Sequence, residues 1–217
     1  MIKEYYLENH KEIKILQDDE LFLINTDTTV LGEFIEVYKK DTVLDIGTNT
    51  GALLLYAALF NPKKIVGIDI NEKALELAKQ NLDNNKITNY ELIHIDANNF
   101  KYKERFDVII CNPPYFKEKD KSNNEYKNLA KFDTTLKLDN LITTIDNNIK
   151  NYGTIYLLYL SSRLDEVILE LEKHKIHVKE LRFVFDENKQ NSNVCLIKAK
   201  KGGVKGMVVT KPVIIKR

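Results

Sequence analysis

The chain has 217 residues, 43% hydrophobic and 30% charged, enough for one substantial core and too apolar for wholesale disorder. Its two cysteines, Cys111 and Cys195, exclude a disulfide scaffold and have no zinc-site spacing. No apolar run reaches the ~20 residues of a membrane span, and Met1 to Glu8 lacks the apolar stretch of a secretory leader, so a cytoplasmic protein with no membrane partner is expected. The net charge of +1 hides an uneven distribution: Lys198 to Arg217 holds seven basic residues and no acidic one, while the rest of the chain has more acidic than basic residues. Such a tail is either a solvated end or a local footprint for phosphates.

Residues 1–40 read as a leading appendage, with EIKIL and LFLI as candidate strands and Asn25 to Thr29 as a capped helix start. From Asp41 onward, short apolar runs alternate with helical patterns. TVLDIG (Thr42 to Gly47) reads as a buried strand, and ALLLYAALF (Ala52 to Phe60) as a short buried helix. KIVGIDI (Lys64 to Ile70) is strand-like, and the next segment sets Ala74, Leu75, Ala78 and Leu82 on one helical face. YELIHID (Tyr90 to Asp96) and FDVIIC (Phe106 to Cys111) are further strands. The charged, Asn-rich stretch 117–131 reads as a loop, followed by a helix from Leu138 to Lys150 and the strand TIYLLYL (Thr154 to Leu160). A helix from Leu164 to Glu172 precedes VKELRFVF (Val178 to Phe185) and VCLIKAK (Val194 to Lys200), an expected antiparallel pair. The pattern predicts an α/β, Rossmann-like fold: a mostly parallel seven-stranded sheet with an antiparallel edge strand and helices on both faces. Residues 41–217 would form the catalytic domain with its basic tail.

DIGTNTG (Asp45 to Gly51) joins a strand to a helix. Gly47 and Gly51 permit a tight turn and close approach to a ligand, and Asn49 tolerates left-handed geometry. Asp69 ends the next strand, where a carboxylate accepts from the ribose hydroxyls of an adenosine cofactor. The loop alone does not choose between a dinucleotide and S-adenosylmethionine, although position 52 is alanine where a pyrophosphate loop prefers a third glycine. Asp45 is placed to take an ammonium group or to hold the loop backbone. Asp96 is placed to accept from an adenine amino group, with Ile70 against the ring; capping the turn before Ala97 is the plainer role for Asp96.

CNPPY (Cys111 to Tyr115) follows the fourth core strand, at the edge where open parallel sheets put their chemistry. Asn112 offers an amide oxygen and Pro113 a backbone carbonyl, two acceptors for one planar amine. Pro114 stiffens the loop, Tyr115 offers an aromatic face, and Phe116 lies beside it. The four histidines, His10, His94, His174 and His177, form no ligand spacing, and no metal is expected.

With these motifs in this order, the chain resembles the class I S-adenosylmethionine-dependent methyltransferases, and Asn112-Pro113-Pro114-Tyr115 resembles the signature of the branch that methylates exocyclic or amide nitrogens. LINTDTTVLGEF (Leu23 to Phe34), YLLYLSSRLDEVI (Tyr156 to Ile168), Lys201-Gly202-Gly203 and Lys211-Pro212-Val213-Ile214-Ile215 are similar to the bacterial enzymes that make N6-methyladenosine at position 37 of valine tRNA. The resemblance implies S-adenosylmethionine as cofactor, tRNA as partner and no obligate protein partner. It implies Asp27 and Thr28 near the methionine end of the cofactor or the acceptor, and it suggests phosphate contacts at Arg163, Lys200, Lys201, Lys205 and Lys211. Two departures stand out: Asn49 occupies a position usually glycine, and Ala130-Lys131-Phe132-Asp133 lacks the family's histidine. Guanine N2 methylation of RNA and glutamine N5 methylation of a release factor are alternatives within the chemistry, although release-factor enzymes carry a longer helical domain than residues 1–40. A nucleotide-dependent oxidoreductase and a non-catalytic RNA-binding protein are the alternatives outside it.

Overall fold

Val43, Leu44 and Ile46 are buried, as are Ile65, Val66 and Ile68 and the run Val108 to Cys111. Strands apolar on both faces need cover on both faces, which a parallel sheet with crossover helices provides. The computed structural model describes residues 1–113 and 136–216. The loop at 117–131 and the Ala130-Lys131-Phe132-Asp133 run therefore lie outside the described residues.

Strands β1 (Ile2–Leu7) and β2 (His10–Asp18) form an antiparallel hairpin with its own two-stranded sheet. The main sheet contains β3 (Thr42–Ile46), β4 (Lys64–Asp69), β5 (Tyr90–His94), β6 (Phe106–Cys111), β7 (Ile149–Leu160), β8 (Ile176–Asp186), β9 (Val194–Lys201), β10 (Val208–Val209) and β11 (Val213–Ile215). Its order is β10-β8-β9-β7-β6-β3-β4-β5, with β11 also on β8. Helices α1 (Thr26–Gly32), α2 (Ala52–Ala58), α3 (Glu72–Asn84), α4 (Leu138–Asn148) and α5 (Leu164–Lys173) cover its two faces. The mostly parallel α/β fold is as expected from the sequence, and all seven anticipated strands are present. Two details differ. The antiparallel strand β9 is inserted between β7 and β8, one place in from the edge. The tail then adds β10 and β11 along the outer side of β8, which makes nine strands.

The appendage also departs from expectation. EIKIL falls within β2, but Leu21 to Ile24 form no strand, because side chains take the backbone groups that a ladder would use. The Phe22 carbonyl accepts from Asn49 Nδ2 at 2.6 Å, and the Ile24 N–H donates to Gln17 Oε1 at 2.6 Å. Leu21 is buried with Ala74 and Leu77 of α3. The hairpin docks on α3 through Asn81, whose Oδ1 accepts from Leu16 N and whose Nδ2 donates to the carbonyls of Leu16 and Thr50.

β9 runs against the parallel strands, so its C-terminal end lies where β7 and β8 begin: Lys200 pairs with Thr154 and Lys201 with Ile176. There Lys201 Nζ bonds Asp146 and the His174 carbonyl, and Lys205 pairs with Glu172 at 2.7 Å. Burial pushes the Asp146 carboxyl up, but Lys201 and His174 outweigh it and hold it below its ordinary value. Lys201→Ala should therefore cost about 1 to 3 kcal/mol of stability, measurable by urea unfolding.

Candidate active site

Register assembles the site. Ile46 pairs with Ile68 on one side and with Cys111 on the other. The residues that follow, Gly47, Asp69 and Asn112, thus emerge side by side from three neighbouring strands at their C-terminal ends. This is the edge where such sheets place ligands.

The glycine loop turns sharply because three of its residues are left-handed: Gly47 at φ 76°, Asn49 at φ 48° and Gly51 at φ 82°. A Cβ on Gly51 would lie 3.2 Å from the Ala78 Cβ, so glycine also permits α3 to close on the loop. A Cβ on Gly47 would meet nothing within 4 Å, so the loop faces open space there. At the loop, both oxygens of the fully buried Asp45 and the hydroxyls of Thr48 and Thr50 have no hydrogen-bond partner among the described residues. Burial pushes the Asp45 carboxyl up to about 7. Thr48 works against that rise without reaching hydrogen-bond geometry with either oxygen, and Asp69 adds to it. Orphaned acceptors at a loop that faces open space fit a small ligand carrying a cationic amine.

Asp69 does not cap α3; Asn71 does, accepting from Ala74 N. Asp69 Oδ2 accepts from Asn49 N at 2.7 Å and Oδ1 from Asn71 N at 2.9 Å. Burial raises the Asp69 carboxyl while these backbone N–H groups oppose the rise. Each oxygen keeps a lone pair for a ribose hydroxyl. Ile70 is 46% exposed, an apolar face at the same edge. Asp96 Oδ1 accepts from Asn98 N and Nδ2, both at 2.8 Å, so the plainer turn-capping role is realised with one of its oxygens.

Asn112 directly follows β6, and its Nδ2 donates to Thr28 Oγ1 at 3.5 Å. Thr28 lies in the first turn of α1, capped by Asn25; Asp27 is the acidic residue of that turn. Pro113 follows Asn112, whereas Pro114, Tyr115 and Phe116 lie outside the described residues. Cys111 is buried, and desolvation followed by the nearby Asp45 pushes its thiol well above its ordinary value, so it is no nucleophile. Arg163 sits just past β7 with its guanidinium over Tyr159 and on Glu166 at 2.8 Å. The structure brings Asp45, Gly47, Asn49, Gly51, Asp69 and Asn112 together with Thr28. It does not bring Lys200, Lys201 or Lys205 to this edge. Phe22 and Asn81 are partners of the glycine loop that the sequence reading missed; Asn81, an asparagine on the buried face of an amphipathic helix, was the available signal.

Residues 38–195 match the family described as "Methyltransferase domain". The chain belongs to this methyltransferase family. Its methyl donor is S-adenosylmethionine. Among curated proteins, this methyltransferase is 29% identical over 162 residues to a tRNA1(Val) (adenine(37)-N6)-methyltransferase of Pseudoalteromonas translucida, covering 74% of this chain and 69% of that protein. It is 35% identical over 133 residues to the Vibrio campbellii protein of the same name, covering 60% of this chain and 56% of that protein, little more than half the relative's length. The fold matches a crystal structure of ribosomal protein L11 methylase from Lactobacillus delbrueckii with a TM-score of 0.64 at 19% identity, covering 86% and 84% of the two chains. No helix among the described residues is long and apolar enough to cross a membrane, and no cluster of metal-ligating side chains is found among them.

The assignment of Asp69 to cofactor binding makes a prediction. Asp69→Ala should weaken binding of S-adenosylhomocysteine by roughly 1 to 3 kcal/mol, about 5- to 150-fold. Calorimetry finding unchanged affinity in a folded variant removes Asp69 from the site.

Proposed function

We propose that the enzyme transfers a methyl group to the exocyclic N6 amine of adenine in tRNA, at position 37 of the anticodon loop of valine tRNA. The observation that carries the reading is Asn112, which presents an amide beside the glycine loop at the sheet's C-terminal edge; the names of the curated relatives support the RNA and the position. Residues 41–217 form the catalytic unit and residues 1–40 the appendage over its active site. Cytoplasmic placement follows from a tRNA substrate.

In this reading Gly47, Asn49 and Gly51 shape the cofactor cradle, Asp45 faces the ammonium end, Asp69 takes the ribose, and Ile70 and Asp96 hold the adenine. The cofactor supplies a methyl group already activated on a sulfonium. The protein contributes orientation and a polar setting. Asn112 Oδ1 and the Pro113 carbonyl accept from the target amine and aim its lone pair, while Tyr115, with Phe116 beside it, stacks on the base. The methylated nitrogen then loses its proton to water. An anticodon-loop base is already outside a regular duplex, so turning it into a pocket costs less than extracting it from paired RNA. Of the tail lysines, Lys211 is exposed between β10 and β11 and is the better candidate for a phosphate contact; Arg163 would have to leave its pair with Glu166 to make one. Lys201 is committed to Asp146, so Lys201→Ala should leave the salt dependence of tRNA binding unchanged.

The test is mass spectrometry of nucleosides from unmodified valine tRNA incubated with enzyme and labelled S-adenosylmethionine. The reading predicts labelled N6-methyladenosine. Labelled methylguanosine, or no labelled nucleoside, contradicts it.

A further inference from the structure

The segment from Phe22 to Thr28 touches both halves of the site. The Phe22 carbonyl takes the Asn49 side chain of the glycine loop, and Thr28 meets Asn112. Hydrogen-bond polarity at the second end can be followed from a group that has no choice. The Thr28 backbone N–H donates to Asn25 at 3.0 Å, so the atom of Asn25 facing it is the oxygen. The same oxygen takes a hydrogen bond from Thr28 Oγ1 at 3.2 Å, and because an amide oxygen has no proton to give, the hydroxyl is the donor. With its proton spent on Asn25, Thr28 Oγ1 can only accept from Asn112. Asn112 must therefore turn its NH2 toward Thr28, leaving Oδ1 turned away from Thr28 and free to accept. An amide flipped the other way would present donors to an amine that itself needs acceptors.

Resting on Asn112 as the acceptor-site residue, we infer that Asn25 and Thr28 are positioning residues: a relay anchored on the backbone of α1 fixes the flip state of the Asn112 amide. Thr28 is 8% exposed, so the middle of the relay is buried, while Asn25 at its start reaches solvent. The 3.5 Å contact to Asn112 is long, as such bonds are before substrate is bound.

Thr28→Val keeps the shape and removes the hydroxyl; Thr28→Ser restores it. In single-turnover methyl transfer to unmodified valine tRNA transcript, T28V should be slower by about 10- to 100-fold, T28S should recover most of the rate, and affinity for S-adenosylhomocysteine should be unchanged in both. A wild-type rate for T28V overturns the relay, as does a loss of rate matched by an equal loss of cofactor affinity. An arm independent of substrate uses protein labelled with 15N-asparagine, in which the Asn112 side-chain NH2 pair is identified by its disappearance in N112A. T28V should shift that pair, and an unmoved pair overturns the relay. Should T28V fail to fold, N25A, which removes the polarising oxygen, carries both measurements with the same expected signs. If wild type methylates no tRNA, the acceptor-site reading fails, and the NMR arm still decides whether the relay exists.

Discussion

Asn112→Ala should depress single-turnover methyl transfer by about two orders of magnitude or more, the scale for removing one preorganised contact in other active sites. Affinity for S-adenosylhomocysteine should change little, because the cofactor is assigned to groups on β3, β4 and β5 and the loops after them. The expectation follows from placement. Asn112 leaves β6 in register with the start of the glycine loop, and its NH2 is held by Thr28. Its oxygen is then available to an amine, a weak nucleophile whose lone pair must be aimed. A near-normal single-turnover rate in N112A removes the residue from the chemistry. A rate loss that appears only in steady state would indicate slow product release instead.

The stability of the ligand-free enzyme should depend on pH through Asp45. Its carboxyl is raised from 3.8 to about 7, first by burial, so the folded state favours the protonated form. Asp45 therefore contributes stability that is fully present below about pH 4 and is lost as pH rises through about 7. The whole effect is on the order of 4 kcal/mol, from roughly three pKa units at 1.36 kcal/mol each. Asp45→Asn, neutral at every pH, should flatten the stability profile between pH 5 and 8 and gain over wild type toward the alkaline end. Chemical unfolding across that range reads the difference. Parallel profiles for the two proteins would mean that Asp45 stays ionised in the folded state throughout.

Sequence made the central strands legible because they are short, largely apolar stretches, as in Val108 to Cys111 and in Val43 to Ile46, where Asp45 is the one polar residue. The sharp turn of the glycine loop was legible because left-handed positions demand glycine or asparagine. β1 was not, since every residue of it except Leu7 is exposed and IKEYYL shows no apolar-polar alternation. β7 begins at Ile149 instead of Thr154, because α4 passes directly into the strand and a register shift at Phe106 to Val108 absorbs the extra residues. The tail's seven basic residues suggested one phosphate footprint. Antiparallel β9 instead carries Lys200 and Lys201 to the opposite edge, a consequence of strand direction that composition cannot encode. The contacts joining residues 22–28 to Asn49 and Asn112 are side chain to backbone or side chain to side chain across more than twenty residues, and no local pattern records them.

The most direct test of the account compares two valine tRNA transcripts, one with adenosine and one with guanosine at position 37, each incubated with enzyme and labelled S-adenosylmethionine. The account predicts one methyl group per adenosine-37 transcript, recovered as N6-methyladenosine at that position, and none in the guanosine-37 transcript. Equal labelling of the two, or no labelling by folded enzyme that binds S-adenosylhomocysteine, would contradict it.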